Sequence, residues 1–419
     1  MKFKKRRIIM KRFVMVLMVL CLAFCVFAGG KKEAAKTASA APAATGPSGE
    51  VVIWYYWETV GHQKALDHII TEFNNKQSAI KVSAKYVPFA DFKKQLSIGA
   101  AAAELPDLVI LDNPDHASYA SMGIFADITG KFDVSTYYPG PVNSCTLDGR
   151  LYGVPFGSND LVLFYNEDML KEAGVSVPTT WDELLDAAAK CTKGTVSGFA
   201  HSSLQNEEGT FNFLTWLWST GATSYEIGSA NGIKALTQVQ KMVQSNGMTV
   251  EAINWTQGDT MNQFISGNLA MMINGTWQIP TMRSEVPDMH WNVAPIPQDK
   301  VQASGLGGEN YAVIAGGNED AAIEFLKYAT SRDTCLYMME KMGYISSDST
   351  IAEGQFGDDP VYAVFVDEMK YAGARGPRPD WPEISDAISL AFNEVMTGAS
   401  TPEKAAAKAQ ATIDAIMGK

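Results

Sequence analysis

Val51-Val52-Ile53-Trp54-Tyr55-Tyr56-Trp57 is an unbroken run of β-branched and aromatic residues. A run of this kind reads as a strand buried on both faces. The residues after it switch period. Leu66, Ile69, Ile70 and Phe73 fall at helical spacing, which predicts an amphipathic helix over 63–76. A second strand over 80–87, a helix over 89–103 and the apolar run Leu108-Val109-Ile110-Leu111-Asp112 complete a strand–helix–strand–helix–strand order. Continuous apolar strands alternating with helices predict a parallel sheet covered on both faces, so the fold class is α/β. In such sheets ligands sit outside the carboxyl ends of the strands. That rule singles out two loops, one holding Tyr56, Trp57 and Glu58, the other Asp112 and Asn113.

Further along, 151–157 and 162–166 read as two strands joined by a polar connection, Ser158-Asn159-Asp160. Thr180 followed by Glu183 has the spacing of a helix-starting capping box. Helical patterns are expected at 211–219, 232–245 and 260–266. Strands are expected at 270–273, 291–295 and 311–314. The last third reads as mostly helical, with patterns at 319–330, 332–341, 360–371, 382–396 and 402–417.

The chain ends and the composition bound the compartment and the partners. Lys2, Lys4, Lys5, Arg6, Arg7, Lys11 and Arg12 form a basic head, followed by an apolar run from Phe13 to Ala28. That arrangement predicts a secretory signal over 1–28. Two processing routes stay open. One is cleavage after Ala28; the other is lipidation at Cys25 in the loose lipobox Leu22-Ala23-Phe24-Cys25, where Phe24 departs from the usual small residue. Residues 29–49 are rich in Ala, Thr, Ser, Pro and Lys, and they predict a flexible tether. The chain has 419 residues, and two domains are expected at roughly 150 residues each. Removing the seven basic residues of the head from 34 leaves 27 against 46 acidic, a formal charge of −19. So acidic a surface argues against nucleic acid and anionic membranes as partners. No metal-ligand spacing, phosphate loop or nucleophile elbow occurs, so no metal, cofactor or catalytic residue is assigned. The five His residues form no cluster, and the odd number of cysteines argues against a disulfide framework.

Landmarks along the body add a resemblance. Leu151-Tyr152-Gly153-Val154-Pro155 leads to Phe164-Tyr165-Asn166 and then to Pro178-Thr179-Thr180-Trp181-Asp182-Glu183-Leu184. Phe264, Gly267-Asn268-Leu269-Ala270-Met271-Met272 and Gly275-Thr276-Trp277 come next, then Pro295-Ile296-Pro297 and Gly307-Gly308. Ala321-Ala322, Phe325-Leu326 and Val395-Met396-Thr397-Gly398 close the series. In this order they resemble the family 1 extracellular solute-binding proteins of ABC importers, the maltose-, glycerol-phosphate- and multiple-sugar-binding type. The resemblance implies a periplasmic-binding-protein-like fold: two α/β lobes joined by crossing strands, with a ligand cleft between them. Lobe one would comprise 50–158 plus 305–350, and lobe two 159–304 plus 351–419. It further implies an extracytoplasmic monomer that closes over a small-molecule ligand, a mono- or oligosaccharide, and delivers it to membrane permease subunits.

A sugar offers hydroxyls at its edge and C–H groups on its faces. Its site therefore needs aromatic platforms and fixed polar groups. Tyr56, Trp57, Trp216 and Trp277 are the candidate platforms, with a helix core as the competing reading for Trp216. Glu58, Asp112, Asn159 and Asp160 are candidate hydroxyl partners. Gly308, Glu309 and Tyr311 follow a glycine pair that lets backbone approach a ligand closely. Arg375 and Arg378 could hold a phosphate or carboxylate bidentately, or be held in their loop by Asp380 or Glu383. They keep a glycerol-phosphate ligand in view. An exported glycoside-processing enzyme using two carboxylates is the rival of another class.

Overall fold

The computed structural model describes residues 46–419. The basic head, Cys25 and the tether up to residue 45 lie outside the described residues. Strand β1 (Gly49–Tyr55), helix α1 (Val60–Lys76), β2 (Ile80–Tyr86), α2 (Phe89–Ala102) and β3 (Leu108–Asp112) follow the order read from the sequence. β1 pairs in parallel with both β2 and β3. Every residue of β3 is buried, as a strand covered on both faces must be. α1 turns Leu66, Ile69, Ile70 and Phe73 inward at the predicted spacing, and buries His62 in its first turn.

The next strand departs from the expectation. β4 (Val154–Asn166) is continuous, not two strands with a polar joint. Ser158, Asn159 and Asp160 have poor strand propensity, yet they stay extended because their backbone pairs with a neighbour, which overrides local preference. Helix α3 (Trp181–Cys191), β5 (Ser197–Ala200), α4 (Glu207–Ser219), α5 (Ala230–Gln244), α6 (Gln257–Ile265), β6 (Leu269–Gly275) and β7 (Trp291–Ala294) build the second lobe. The predicted capping box is present: the Thr180 hydroxyl accepts from Glu183 N at 3.3 Å, and the Glu183 carboxylate accepts from Thr180 N at 3.3 Å. α4 starts four residues before the predicted 211, because the Asn206 side chain accepts from Glu208 N and Gly209 N and so caps an earlier turn.

The chain returns through β8 (Ser304–Val313), which begins seven residues before the predicted strand. Its Gly305-Leu306-Gly307-Gly308 segment lacks strand propensity and is held by neighbours on both edges. Gly308 sits at φ +148°, and a Cβ there would come within 2.3 Å of the Gly157 carbonyl oxygen. Helices α7 (Glu319–Ala329) and α8 (Arg332–Met342) pack on lobe one. Then α9 (Pro360–Glu368), β9 (Ala372–Ala374), α10 (Trp381–Met396) and α11 (Pro402–Ile416) finish the chain, with α9, α10 and α11 on lobe two.

Sheet order explains the two lobes. The path runs β2-β1-β3-β8-β4-β6-β5, with β9 added to β8 and β7 added to β4. β4 pairs antiparallel with β8 up to Asp160, and with β6 from Leu161 onward. The strand therefore leaves one lobe and enters the other between those two residues. Each lobe has its own core. Ile53, Leu66, Ile110, Phe156 and Phe325 belong to the first; Phe164, Phe199, Phe213, Met271 and Phe392 belong to the second. Full burial of each such side chain contributes roughly 1.5–3 kcal/mol. Trp277 packs against both cores. Cys145, Cys191 and Cys335 are buried free thiols.

Candidate functional site

The ends of β1, β3 and β6, the crossing strands and the first turns of α4 and α6 surround one cavity of about 90 Å³. Tyr56, Trp57, Glu58, Asp112, Asn159, Trp277, Gly308, Glu309 and Arg375, all named from the sequence, line it together. The two loops beyond the carboxyl ends of β1 and β3 thus border this cavity. Beyond Glu58 and Gly258 a wider space of about 470 Å³ opens toward the surface.

On the first lobe Glu309 is the hub. Its Oε1 accepts from Tyr344 Oη at 2.8 Å, Tyr56 Oη at 2.9 Å and Trp57 Nε1 at 3.3 Å. Its Oε2 is buried and has no partner. Burial pushes the Glu309 carboxyl up to about 8; the Asp112 charge adds to this and the donated hydrogen bonds only partly oppose it. His62 lies beside these rings, 6.3 Å from Trp57 and 5.8 Å from Tyr344 between centroids. Burial lowers it to about 4, so it is neutral at pH 7, and its Nε2 is also without a partner.

The second lobe contributes Glu208 and Phe211 from α4 and Gln257 from the start of α6. Glu208 Oε2 accepts from Gln257 N at 2.7 Å and Ser202 Oγ at 3.3 Å, while burial raises its carboxyl to about 8. The Gln257 Nε2 donor is buried and unpartnered. Glu58, on lobe one, reaches across and accepts from Gly258 N at 3.1 Å.

Arg375 closes one end. Its Nη1 donates to Asp112 Oδ2 at 2.8 Å and to Glu207 Oε1 at 2.9 Å, and its Nη2 donates to Asp112 Oδ1 at 2.9 Å. The guanidinium also lies 4.0 Å from the Phe211 ring centroid. Burial works against its charge, but the two carboxylates outweigh burial and hold its pKa above the ordinary arginine value. Behind it, Glu207 accepts from Trp381 Nε1 at 3.0 Å and lies 3.6 Å from Lys93 Nζ. Burial alone would raise the Glu207 carboxyl, yet Lys93 and Arg375 hold it below its ordinary value. This buried network spans the two lobes.

Four residues named from the sequence stand elsewhere. Asp160 follows Asn159 on β4 and so points to the opposite face; it is fully buried, and neither carboxyl oxygen has a partner. Tyr311 lies two residues beyond Glu309 on β8, roughly 6–7 Å deeper, and packs on Phe156 in the core of lobe one. Trp216 belongs to the lobe-two core, against Trp181 and Phe199, with its Nε1 donating to His201 Nε2 at 3.2 Å. Arg378 is held outside the cavity by Asp380, through Nε at 2.7 Å and Nη2 at 2.6 Å. Conversely, the sequence reading passed over His62, Phe89, Glu208, Phe211, Gln257 and Tyr344. His62 looked like a lone histidine. The one signal for Glu208 was an acidic pair, Glu207-Glu208, on a helix otherwise rich in apolar residues.

Among the described residues no group of three His, Cys, Asp or Glu is placed to hold a metal ion. The model of a family described as bacterial extracellular solute-binding protein matches residues 68–363. The lactose-binding protein of Rhizobium radiobacter is 25% identical over 405 residues, covering 88% of this chain and 94% of that protein. The galactooligosaccharide-binding protein of Bacillus subtilis is 24% identical over 421 residues, covering 94% and 93%. Among solved structures, an ABC transporter solute-binding protein from Thermotoga lettingae bound with alpha-D-tagatose superposes with a TM-score of 0.82 at 26% identity. The match covers 88% of this chain and all of that one. These relatives are binding proteins. With two α/β lobes, crossing strands and a cleft between them, the chain belongs to the bacterial extracellular solute-binding protein family.

Proposed function

We propose that this protein captures a sugar of about monosaccharide size in the interlobe cavity and hands it to the permease subunits of an ABC importer, without chemically altering it. One observation carries the reading. Aromatic residues from both lobes line a single small cavity together with Glu309, His62, Gln257 and Arg375, whose Oε2, Nε2, Nε2 and Nε are buried and unpartnered. Buried polar groups are ordinarily hydrogen-bonded, so unpaired ones around a cavity call for a ligand. Acceptors and donors set among ring faces suit a polyol with exposed C–H faces. The lactose- and galactooligosaccharide-binding relatives and the tagatose-bound structure support the same class. The wider outer space leaves room for a substituent on the bound ring.

A glycerol-phosphate ligand is disfavoured here, although a glycerol-3-phosphate-binding periplasmic protein of Pectobacterium atrosepticum is 23% identical and covers 92% of both chains. The cavity arginine is already matched by Asp112 and Glu207, and the remaining walls carry carboxyls. We further propose lobes close to 50–158 plus 305–350 and 159–304 plus 351–419, with the crossing of β4 at 160/161 and Ile351 on the first core, and that Cys25 or Ala28 marks the processed end. Titration of intrinsic tryptophan fluorescence with monosaccharides tests the ligand reading. Saturable quenching is expected in the native protein and its loss in Trp277→Ala, with the sugar recovered intact. Unchanged affinity in that variant removes Trp277 from the site, and a hydrolysed or isomerised sugar defeats the binding reading.

A further inference from the structure

The cavity is unbalanced in charge and in hydrogen-bonding capacity. Among the described residues that line it, Arg375 is the one side chain with a fixed positive charge. Its Nη1 and Nη2 are paired with Asp112 and Glu207, while its Nε is buried without a partner. Glu309 and Glu208 have no cation beside them. Glu309 Oε1 is saturated by three donors, whereas Oε2 of this 4%-exposed residue has none. Glu208 is 7% exposed; its Oε2 is occupied and its Oε1 takes no hydrogen bond from the described residues. His62 is 2% exposed, and its Nε2 is buried without a partner. The free positions include the donors Gln257 Nε2 and Arg375 Nε, and beside them stand two carboxyls without a counter-charge. A buried carboxylate in that situation is costly unless it is protonated or meets a cation.

Resting on the sugar reading above and narrowing it, we propose that the preferred ligand is an amino sugar, its protonated amine held by Glu309 and Glu208 beside the ring faces of Trp57 and Trp277. An ammonium supplies three donors and the positive charge that these two carboxyls lack. Aromatic faces add attraction for such a cation. An anionic ligand would meet carboxyls without a counter-charge and is disfavoured by the same balance.

The test compares matched triplets by isothermal titration calorimetry at pH 7. Glucosamine, galactosamine and mannosamine are each set against the parent sugar and the N-acetylated form. In at least one configuration the free amine is expected to bind about tenfold or more tighter than both neutral partners, a ratio equivalent to about 1.4 kcal/mol. Binding of the amine is also expected to release protons to the buffer, because Glu309 and Glu208 ionise beside it; the neutral sugars should release few or none. Glu309→Gln should collapse the amine-to-neutral ratio toward one. If that variant does not fold, Glu208→Gln reads the same ratio. A neutral or N-acetylated sugar binding as tightly as the amine overturns the proposal and leaves sugar binding standing. Absence of binding by every sugar in the series overturns the sugar reading, and this proposal with it.

Discussion

At the scale of single residues, Arg375 changes meaning between chain and fold. In the sequence it is a candidate for gripping an anionic ligand. In the fold it cross-links Asp112 of lobe one to Glu207 of lobe two at 2.8–2.9 Å. A buried ion pair contributes little compared with an apolar replacement of the whole group, but removing one partner leaves stranded charges. Arg375→Ala is therefore expected to destabilise the protein by about 3–5 kcal/mol, read as a lowered midpoint in urea unfolding. An arginine whose only task was to hold an external phosphate would leave that midpoint in place. Arg378, paired with Asp380 at its own loop, offers the contrast within one short segment.

At the scale of elements, the first turn of α6 matters most. Helix N-termini carry backbone N–H groups with no partner in the helix and a partial positive charge. In α6 the Thr256–Asp259 capping box uses some of them, and Gly258 N is left to donate to Glu58 across the cleft. A Cβ at position 258 would stand 2.2 Å from Glu58 Oε1 and push the carboxylate away. Alanine also has the better helix propensity, by roughly 0.5–1 kcal/mol. Gly258→Ala should thus hold or raise the melting temperature of the empty protein while weakening ligand binding. A single net hydrogen bond of about 0.5–1.5 kcal/mol translates to a dissociation constant larger by about threefold to tenfold. Scanning calorimetry and a fluorescence titration on the same preparation separate the two effects. A fall in both would mean that Gly258 serves the helix and not closure.

At the scale of the whole molecule, the cleft carboxyls make stability depend on pH. Glu309 and Glu208 each move from an ordinary value of 4.5 up to about 8 on burial. Between those values the folded state holds protons that the unfolded state has released, so these groups make stability fall as pH rises. Their penalty is absent below about pH 4.5 and complete above about pH 8. Glu309→Gln cannot ionise. Relative to the native protein it is expected to gain on the order of a few kcal/mol between pH 5 and pH 8. Denaturant unfolding at the two pH values provides the double difference. An identical difference at both would mean that Glu309 is not uncharged in the closed cleft.

Much of this was legible from the chain alone. Period and apolar content located β1, α1, β2, α2 and β3, and the rule about strand ends named Tyr56, Trp57, Glu58 and Asp112. These features are local, because side-chain spacing of 2.0 or 3.6 residues is written directly in the sequence. Other features were decided by contacts between distant segments. The continuity of β4 through Ser158-Asn159-Asp160 comes from pairing with β8, about 150 residues away. Whether Asn159 or Asp160 faces the cavity depends on the strand's rotation, which one residue reverses. Arg375 meets Asp112 across 263 positions, and His62, Glu208 and Gln257 become neighbours only once the lobes face each other. Local periodicity determined the elements and the loops at their ends. Which side chains were spent on each other and which were left unpaired for a ligand was decided by the tertiary structure, because burial and hydrogen-bond partnership exist only after distant segments have come together.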